Sequence, residues 1–248
     1  MTQRYYIGPN VPAIGERVEL DPEESHHLVR VMRTPAGALV RVFGEGREFE
    51  ARVKTLRPRV VVQIERQLES IPPLRVRLHV AIPWLRGGRT ELLVQKLTEL
   101  GVQEISVYHA ERCVAHGTKD KVERLERVAI ESCKQCERAD IPLIRLQPTL
   151  RSLLEYLKDH AGSRLLLAER AEAPRLQSYL HMRQSECGEE FLRDGLALIS
   201  GPEGGLSPGE LTEAEKFATF VSLGPRILRA DFAPLVAVAV ILAEVGEL

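Results

Sequence analysis

Leu198-Ile-Ser-Gly-Pro-Glu-Gly-Gly-Leu-Ser-Pro-Gly-Glu210 and, shortly after it, Leu223-Gly-Pro-Arg-Ile-Leu-Arg229 decide how this 248-residue chain is read. In the first stretch an apolar strand runs into a loop too rich in Gly and Pro to be regular. A helix is predicted from Ser207, where Ser207, Pro208 and Glu210 supply an N-cap, an N1 proline and a capping-box acid. The second stretch leads into a helix over about Asp231 to Glu244. Two turns that each join a buried strand to a helix predict a ligand pocket at strand C-termini.

The same residues narrow the ligand. The chain has no G-x-x-x-x-G-K-[ST] phosphate loop, and Gly201-Pro-Glu-Gly-Gly205 is not G-x-G-x-x-G. Pro202 removes an amide that a phosphate nest would need. Gly201, Gly204 and Gly205 allow close backbone approach, and Leu198, Ile199, Leu206, Leu223, Ile227 and Leu228 offer apolar walls. A flat heterocycle such as adenine fits this better than a polyphosphate. Ser200 lies in no G-x-S-x-G elbow and is expected to hydrogen-bond the loop. Arg226 and Arg229 stand ready to neutralise an anion or hold a carboxylate.

Working outward, residues 76 to 200 alternate between strands (Val76–Ile82, Glu104–Tyr108, 143–146, Arg164–Ala168, Leu196–Ser200) and helices (Thr90–Leu100, 119–138, Leu150–His160). Such alternation predicts an α/β fold with a mostly parallel sheet and helices on both faces. Residues 1–70 instead carry period-2 runs, Gly15–Leu20, Ala38–Phe43, Glu48–Val53 and Val60–Ile64, and read as a small β-rich domain. Phe43-Gly-Glu-Gly-Arg47 is its hairpin turn. One helix over Pro22 to Met32 puts His26, Arg30 and Arg33 on one face. That face, with Arg41, Arg52, Lys54, Arg57 and Arg59, is either a solvated surface or a phosphate contact. Glu69-Ser-Ile-Pro-Pro-Leu74 is the linker to a second domain over 74–248.

Composition sets bounds. Net charge is −1, but residues 1–77 hold 13 Lys and Arg against 10 Asp and Glu, and the remainder 21 against 25. The lean is toward an anionic partner for the N-terminal part. The longest apolar run, Leu235 to Ala243, is far short of the roughly 20 residues that span a bilayer. No apolar signal segment opens the chain and its four cysteines follow no framework, so a cytoplasmic protein is expected. Cys113-x-x-His116 with Cys133-x-x-Cys136 has the ligand types of tetrahedral zinc. Because Cys133 and Cys136 fall within a helical pattern, they read as core residues, and no metal is expected. Glu131, Gln135 and Arg138 on the same helix are a solvated face or a pocket wall.

At the two glycine loops the chain resembles the RsmE family, methyltransferases of the SPOUT class that modify N3 of one uridine in 16S ribosomal RNA. Gln95-Lys-Leu-Thr-Glu-Leu-Gly101, Glu111-Arg-Cys-Val114, Glu131-Ser-Cys-Lys-Gln-Cys-Glu-Arg138 and His26-His-Leu-Val-Arg-Val-Met-Arg33 extend the resemblance over nearly the whole chain. It implies a PUA-like β-barrel over 1–70 and a SPOUT domain with a deep trefoil knot over 74–248. It also implies a homodimer, for which the apolar face Leu235–Leu242 suits burial by a second subunit. S-adenosylmethionine would be held by Leu167, Ala168, Ser200, Gly201, Pro202, Glu203, Gly204, Gly205, Leu223, Gly224, Ile227, Leu228 and Arg229. Arg229 and Asp231 would be catalytic, and His26, Arg30, Arg33, Arg52 and Lys54 would bind the small-subunit RNA. The family's usual Thr-Glu-Thr-Ala is replaced by Ala230-Asp231-Phe232-Ala233, which shortens a carboxylate by one methylene and removes two hydroxyls. Asp231 is also a candidate cap for the last helix. Methylation of a ribose hydroxyl or a tRNA base, and passive RNA binding, are the alternatives.

Overall fold

Five strands, β1 (Arg4–Tyr6), β2 (Arg17–Glu19), β3 (Leu39–Gly44), β4 (Arg47–Thr55) and β5 (Val61–Leu68), form one mixed sheet in the order β1-β3-β4-β5-β2. The computed structural model describes residues 3–115, 117, 119–168, 173–188 and 194–248. Two units divide the chain, Met1–Pro73 with Ile130–Ile141, and Leu74–Ala129 with Pro142–Leu248.

In the first unit only β1 runs parallel to its neighbour, β3. The β3–β4 turn has Glu45 and Gly46 at φ 48° and 72°, the pair of positive angles that a two-residue hairpin needs. Register shifts after Glu50 and after Val53 curl β4 against β5. Tyr5, Leu28, Val42, Phe49, Val53 and Val62 pack inside the curl.

The predicted helix over Pro22 to Met32 is two segments. Asp21 caps α1 (Pro22–His26) by accepting from the Glu24 amide at 2.8 Å, and a π-helical turn, His27–Val31, follows. The wider π turn breaks the expected register of His26, Arg30 and Arg33 along one face. Arg33 lies beyond the turn at φ 52°, although all three residues remain exposed.

Arg4 is the main charged group in this unit's interior. Its guanidinium donates to Glu48 Oε1 at 2.9 Å and to the carbonyls of Cys133 and Arg138 at 2.6 and 3.1 Å. It therefore caps the C-terminus of α3 (Lys119–Cys136), where a cation is favoured. Cys133 packs with Phe43 and Ala139, and burial pushes its thiol up to about 12. Arg138, read from sequence as part of a polar face, is buried and paired with Asp140. Among the described residues no three His, Cys, Asp or Glu side chains gather as a metal group, and His116 of the zinc reading lies outside those residues.

The second unit is built on a sheet of six parallel strands, in the order β11-β9-β10-β6-β7-β8. These are β6 (Leu78–Pro83), β7 (Glu104–Tyr108), β8 (Leu143–Gln147), β9 (Ser163–Leu167), β10 (Leu196–Ile199) and β11 (Thr219–Val221). β6, β7 and β10 are buried throughout, as expected of strands covered on both sides. Helices α2 (Arg89–Glu99), α4 (Leu150–His160), α5 (Leu176–Cys187), α6 (Pro208–Ala214) and α7 (Ala233–Glu244) complete the unit. α4 turns Leu150, Leu153, Leu154 and Leu157 onto Ala81, Tyr108, Leu166 and Ile199. α5 escaped the sequence reading, and the buried strand expected before the second turn is β11, of which only Val221 is buried.

One polar cluster sits inside this sheet. His79 Nε2 lies 2.9 Å from Ser106 Oγ, and its Nδ1 lies 3.9 Å from Glu104. Burial lowers the imidazole to about 4, so it is neutral. Ser106 is fully buried and is no nucleophile for an external substrate. No described helix is long and apolar enough to cross a membrane.

Candidate active site at the strand ends

β11, β9 and β10 lie side by side with Val221 level with Leu167 and Leu166 level with Ile199. Their C-termini therefore open onto one place, next to the point where the strand order turns from β10 to β6. A cleft of about 450 Å³, mouth included, lies there. Its walls are Leu167, Ala168, Ser200, Gly201, Leu223, Gly224, Arg226, Leu228, Ala230 and Ala233. A larger lobe of about 1000 Å³ shares Leu167, Ala168 and Gly201 and adds Pro202, Gly205, Leu206, Leu211 and Phe220.

Local chemistry shapes the first loop. The Ser200 amide donates to the Ala81 carbonyl at 3.0 Å, and the Tyr108 hydroxyl donates to the Ser200 carbonyl at 2.7 Å. Full burial raises the Tyr108 pKa well above its usual value, so the phenol remains a donor. The loop tightens where the Gly205 amide meets the Pro202 carbonyl at 2.9 Å, with Gly205 at φ 69°. Arg112 holds the Gly204 carbonyl at 3.1 Å. The capping box of α6 forms as predicted, and Glu210 also accepts from the Glu111 amide at 2.9 Å. In the second loop Gly224 takes φ 114°, which L side chains rarely adopt.

Four charged groups link the two loops. Arg229 Nε donates to Asp231 Oδ1 at 3.2 Å. Arg89, the first residue of α2, places Nε 3.7 Å from Asp231 Oδ2 and donates from Nη1 to Glu203 Oε1 at 3.1 Å. Asp231 is thus not a cap: α7 starts at Ala233 with Phe232 as an N-cap that makes no side-chain bond.

The profile of the RNA methyltransferase domain matches residues 72–242. Ribosomal RNA small subunit methyltransferase E of Synechocystis sp. is 32% identical over 96% of this chain and 77% of its own length. The chain belongs to the ribosomal RNA small subunit methyltransferase E family. The Bacillus subtilis methyltransferase E is 27% identical, with 96% and 95% covered. Among solved structures, a Neisseria gonorrhoeae methyltransferase E bound to S-adenosyl methionine superposes with a TM-score of 0.84 at 25% identity, covering 98% of both chains. A Legionella pneumophila protein solved with the bound cofactor SAM reaches 0.85 at 30% identity, again with 98% of both covered.

Of the residues that resemblance to the methyltransferase E family implied for the cofactor, Leu167, Ala168, Ser200, Gly201, Leu223, Gly224 and Leu228 line the cleft. Pro202 and Gly205 line the adjoining lobe. The other four lie off these walls. Glu203 is turned to Arg89, Gly204 is held by Arg112, Ile227 is 57% exposed, and Arg229 faces Asp231. Ala230 and Ala233 line the cleft with methyl groups, and Phe232 is exposed.

Sequence reasoning passed over Arg89 and Tyr108. A signal for Arg89 was present, since a cation at the first position of a helix opposes the helix dipole. In the first unit, Arg41, Arg52 and Arg59 pair with Glu48, Glu65 and Glu19. Arg30, Arg33 and Lys54 are exposed and form no ion pair among the described residues.

Proposed function

We propose that this protein is an S-adenosylmethionine-dependent methyltransferase that modifies N3 of a uridine in 16S ribosomal RNA. The observation that carries this reading is the cleft where three parallel strands end, with the paired Arg229 and Asp231 on either side of its wall residue Ala230. Its residues fit the cofactor. The walls are Leu, Ala and Gly with one Ser and one Arg, the mostly apolar lining with a few placed polar groups that small-molecule sites have. Leu167, Ala168, Leu223 and Leu228 would hold an adenine ring, and Gly201 and Gly224 would let the backbone come close.

When bound, the cofactor supplies an electrophilic methyl group. The chain's own residues must position N3 of the base and stabilise charge as its proton leaves. Asp231 engages Nε of Arg229 and leaves the ends of that fork for the uracil imide anion. Arg229 acts as an electrostatic stabiliser of that charge. Asp231, the carboxylate that pairs with Arg229, takes the N3 proton. The target base must be unpaired to enter. Arg30, Arg33 and Lys54, with His26, hold RNA phosphates, and Arg52, already paired with Glu65, contributes less.

The same reading takes 1–70 as a PUA-like barrel and 74–248 as a knotted SPOUT domain. It is supported by the curled β1–β5 sheet and by the position of β10 between β9 and β6 before the chain returns to pair β11 with β9. A homodimer is part of the reading. Leu235, Val236, Ala239 and Val240 of α7 are only half-buried, and Phe232 beside them is 53% exposed.

The test is mass mapping. Small-subunit RNA from a strain lacking the gene is incubated with purified protein and cofactor, and the labelled nucleotide is identified. N3-methyluridine at one position is expected. Label on a ribose hydroxyl, or on tRNA supplied in a parallel incubation, would overturn the assignment, and absence of calorimetric binding of S-adenosylmethionine would favour a passive RNA-binding protein.

A further inference from the structure

Arg89 is in the wrong place for its own helix. It is the first residue of the 11-residue α2, behind an N-cap glycine, Gly88, that makes no side-chain bond. A guanidinium there meets the positive end of the helix dipole, and an acidic or capping residue would serve the helix better. Residues that break a local rule are expected where function requires them.

The requirement is visible in its partners. Arg89 reaches Glu203, in the loop after β10, and Asp231, in the segment after β11. Those two segments are not neighbours in sequence, and they supply Gly201 on one side of the cleft and Leu228 and Ala230 on the other. Asp231 in turn holds Arg229. The charges alternate along this chain: Glu203, Arg89, Asp231, Arg229. Arg89 is about one-third exposed, so either pair alone would contribute little to stability. Its value lies in geometry, because one planar fork meets two carboxylates from separate nitrogens held at fixed angles, whereas an ammonium group is a single point charge on a flexible stem.

We propose that Arg89 is a positioning residue which, by holding Glu203 and Asp231 in one fork, couples the two loops of the cleft and sets the orientation of Arg229. The proposal rests on the reading of the cleft as the cofactor site. It predicts one shared interaction that any of three substitutions breaks. Arg89→Gln, Glu203→Gln and Asp231→Asn each weaken S-adenosylmethionine binding by about three- to fivefold, the size of one exposed ion pair. Combinations of them stay within about twofold of the singles, since a bridge is lost only once. Arg89→Lys, which keeps the charge without the fork, recovers less than half of the lost affinity on a logarithmic scale.

The melting temperature of the cofactor-free proteins separates positioning from a structural role. Removing the cation from the N-terminus of α2 leaves it unchanged or slightly raised, whereas a residue that merely supports the fold would lower it. The experiment is therefore a calorimetric mutant cycle on the full chain with S-adenosylmethionine, accompanied by melting curves. Additive losses, full recovery by Arg89→Lys, or affinity that falls only where melting falls would overturn the proposal. A wild-type chain that binds no S-adenosylmethionine would instead overturn the reading of the cleft, and the proposal with it.

Discussion

Arg229 meets Asp231 Oδ1 across 3.2 Å, and the arginine side chain is 69% exposed while the aspartate is 19% exposed. The carboxylate is the anchored partner and the guanidinium is the one presented outward. Replacing Arg229 by Ala should lower kcat by about 10²- to 10³-fold, the usual effect of removing one preorganised donor from developing charge. Cofactor affinity should stay within about threefold, because Arg229 is not among the cleft's walls. Single-turnover assays and calorimetry on the same protein check both halves.

Gly224 carries a different cost. A Cβ there would meet nothing within 4 Å, so crowding is not the issue; φ of 114° is. Gly224→Ala should strain the second loop by about 1–3 kcal/mol. The loss should appear in S-adenosylmethionine affinity, read by calorimetry. An unchanged dissociation constant would mean that the loop relaxes freely.

The interior of the first unit can be tested through Glu48, which holds Arg4 at 2.9 Å and Arg41 at 3.0 Å while 2% exposed. Glu48→Ala leaves a buried arginine without its carboxylate and should destabilise folding by about 3–5 kcal/mol. Urea unfolding gives the measurement.

His79 gives the protein an acid-sensitive window. Its pKa is lowered by burial from 6.5 to about 4, against an opposing pull from Glu104, while Arg145, Arg77 and His160 add to the lowering. The unfolded chain therefore binds the proton more readily between those values. The contribution is fully present above about pH 6.5 and is lost as pH falls toward 4, by roughly 3 kcal/mol in all. The difference in urea midpoint between wild type and His79→Asn should change across that window and be flat above it.

RNA affinity should separate the free from the engaged cations. Arg30→Ala and Arg33→Ala should each reduce the slope of log affinity against log salt by about 0.7 to 0.9. Arg52→Ala should change it less, since Arg52 is already bound to Glu65 through two hydrogen bonds of 2.5 and 2.9 Å. Filter binding at several salt concentrations decides this.

Much of the second unit was legible because its signals are local. Glu104–Tyr108 and Leu150–His160 were read to the residue, and the Ser207, Pro208 and Glu210 start of α6 was written in three side chains. The cleft was legible in outline, since paired Gly-rich turns after apolar strands leave few other arrangements. What escaped was set by distant partners. β1 is three residues long and exists because β3 lies beside it. β11, expected as a strand before the second turn but without bounds, is equally short and pairs with β9. The π turn at His27 has no periodic signature that separates it from an α-helix, and with it went the expected alignment of His26, Arg30 and Arg33. α5 is amphipathic too weakly to announce itself; of its 12 residues only Leu176, Tyr179 and Leu180 are buried. Arg89 carried a local signal as a cation at the first position of α2, but its partners Glu203 and Asp231 are distant in sequence and were not legible.

The order in which the three strands meet has a consequence for biogenesis. β10 enters between β9 and β6, and β11 then joins the far edge of β9. The walls of the cleft come from Leu167–Ala168, Ser200–Gly201 and Leu223–Ala233, so no early portion of the chain contains them all. During synthesis the growing polypeptide can complete β6, β7 and β8 with their helices while it still has no place for a cofactor. Contacts this distant in sequence slow folding, and the ligand cannot assist until the last of them is made. Competence to bind is therefore acquired late and all at once, which leaves the partly made chain unable to sequester the cofactor.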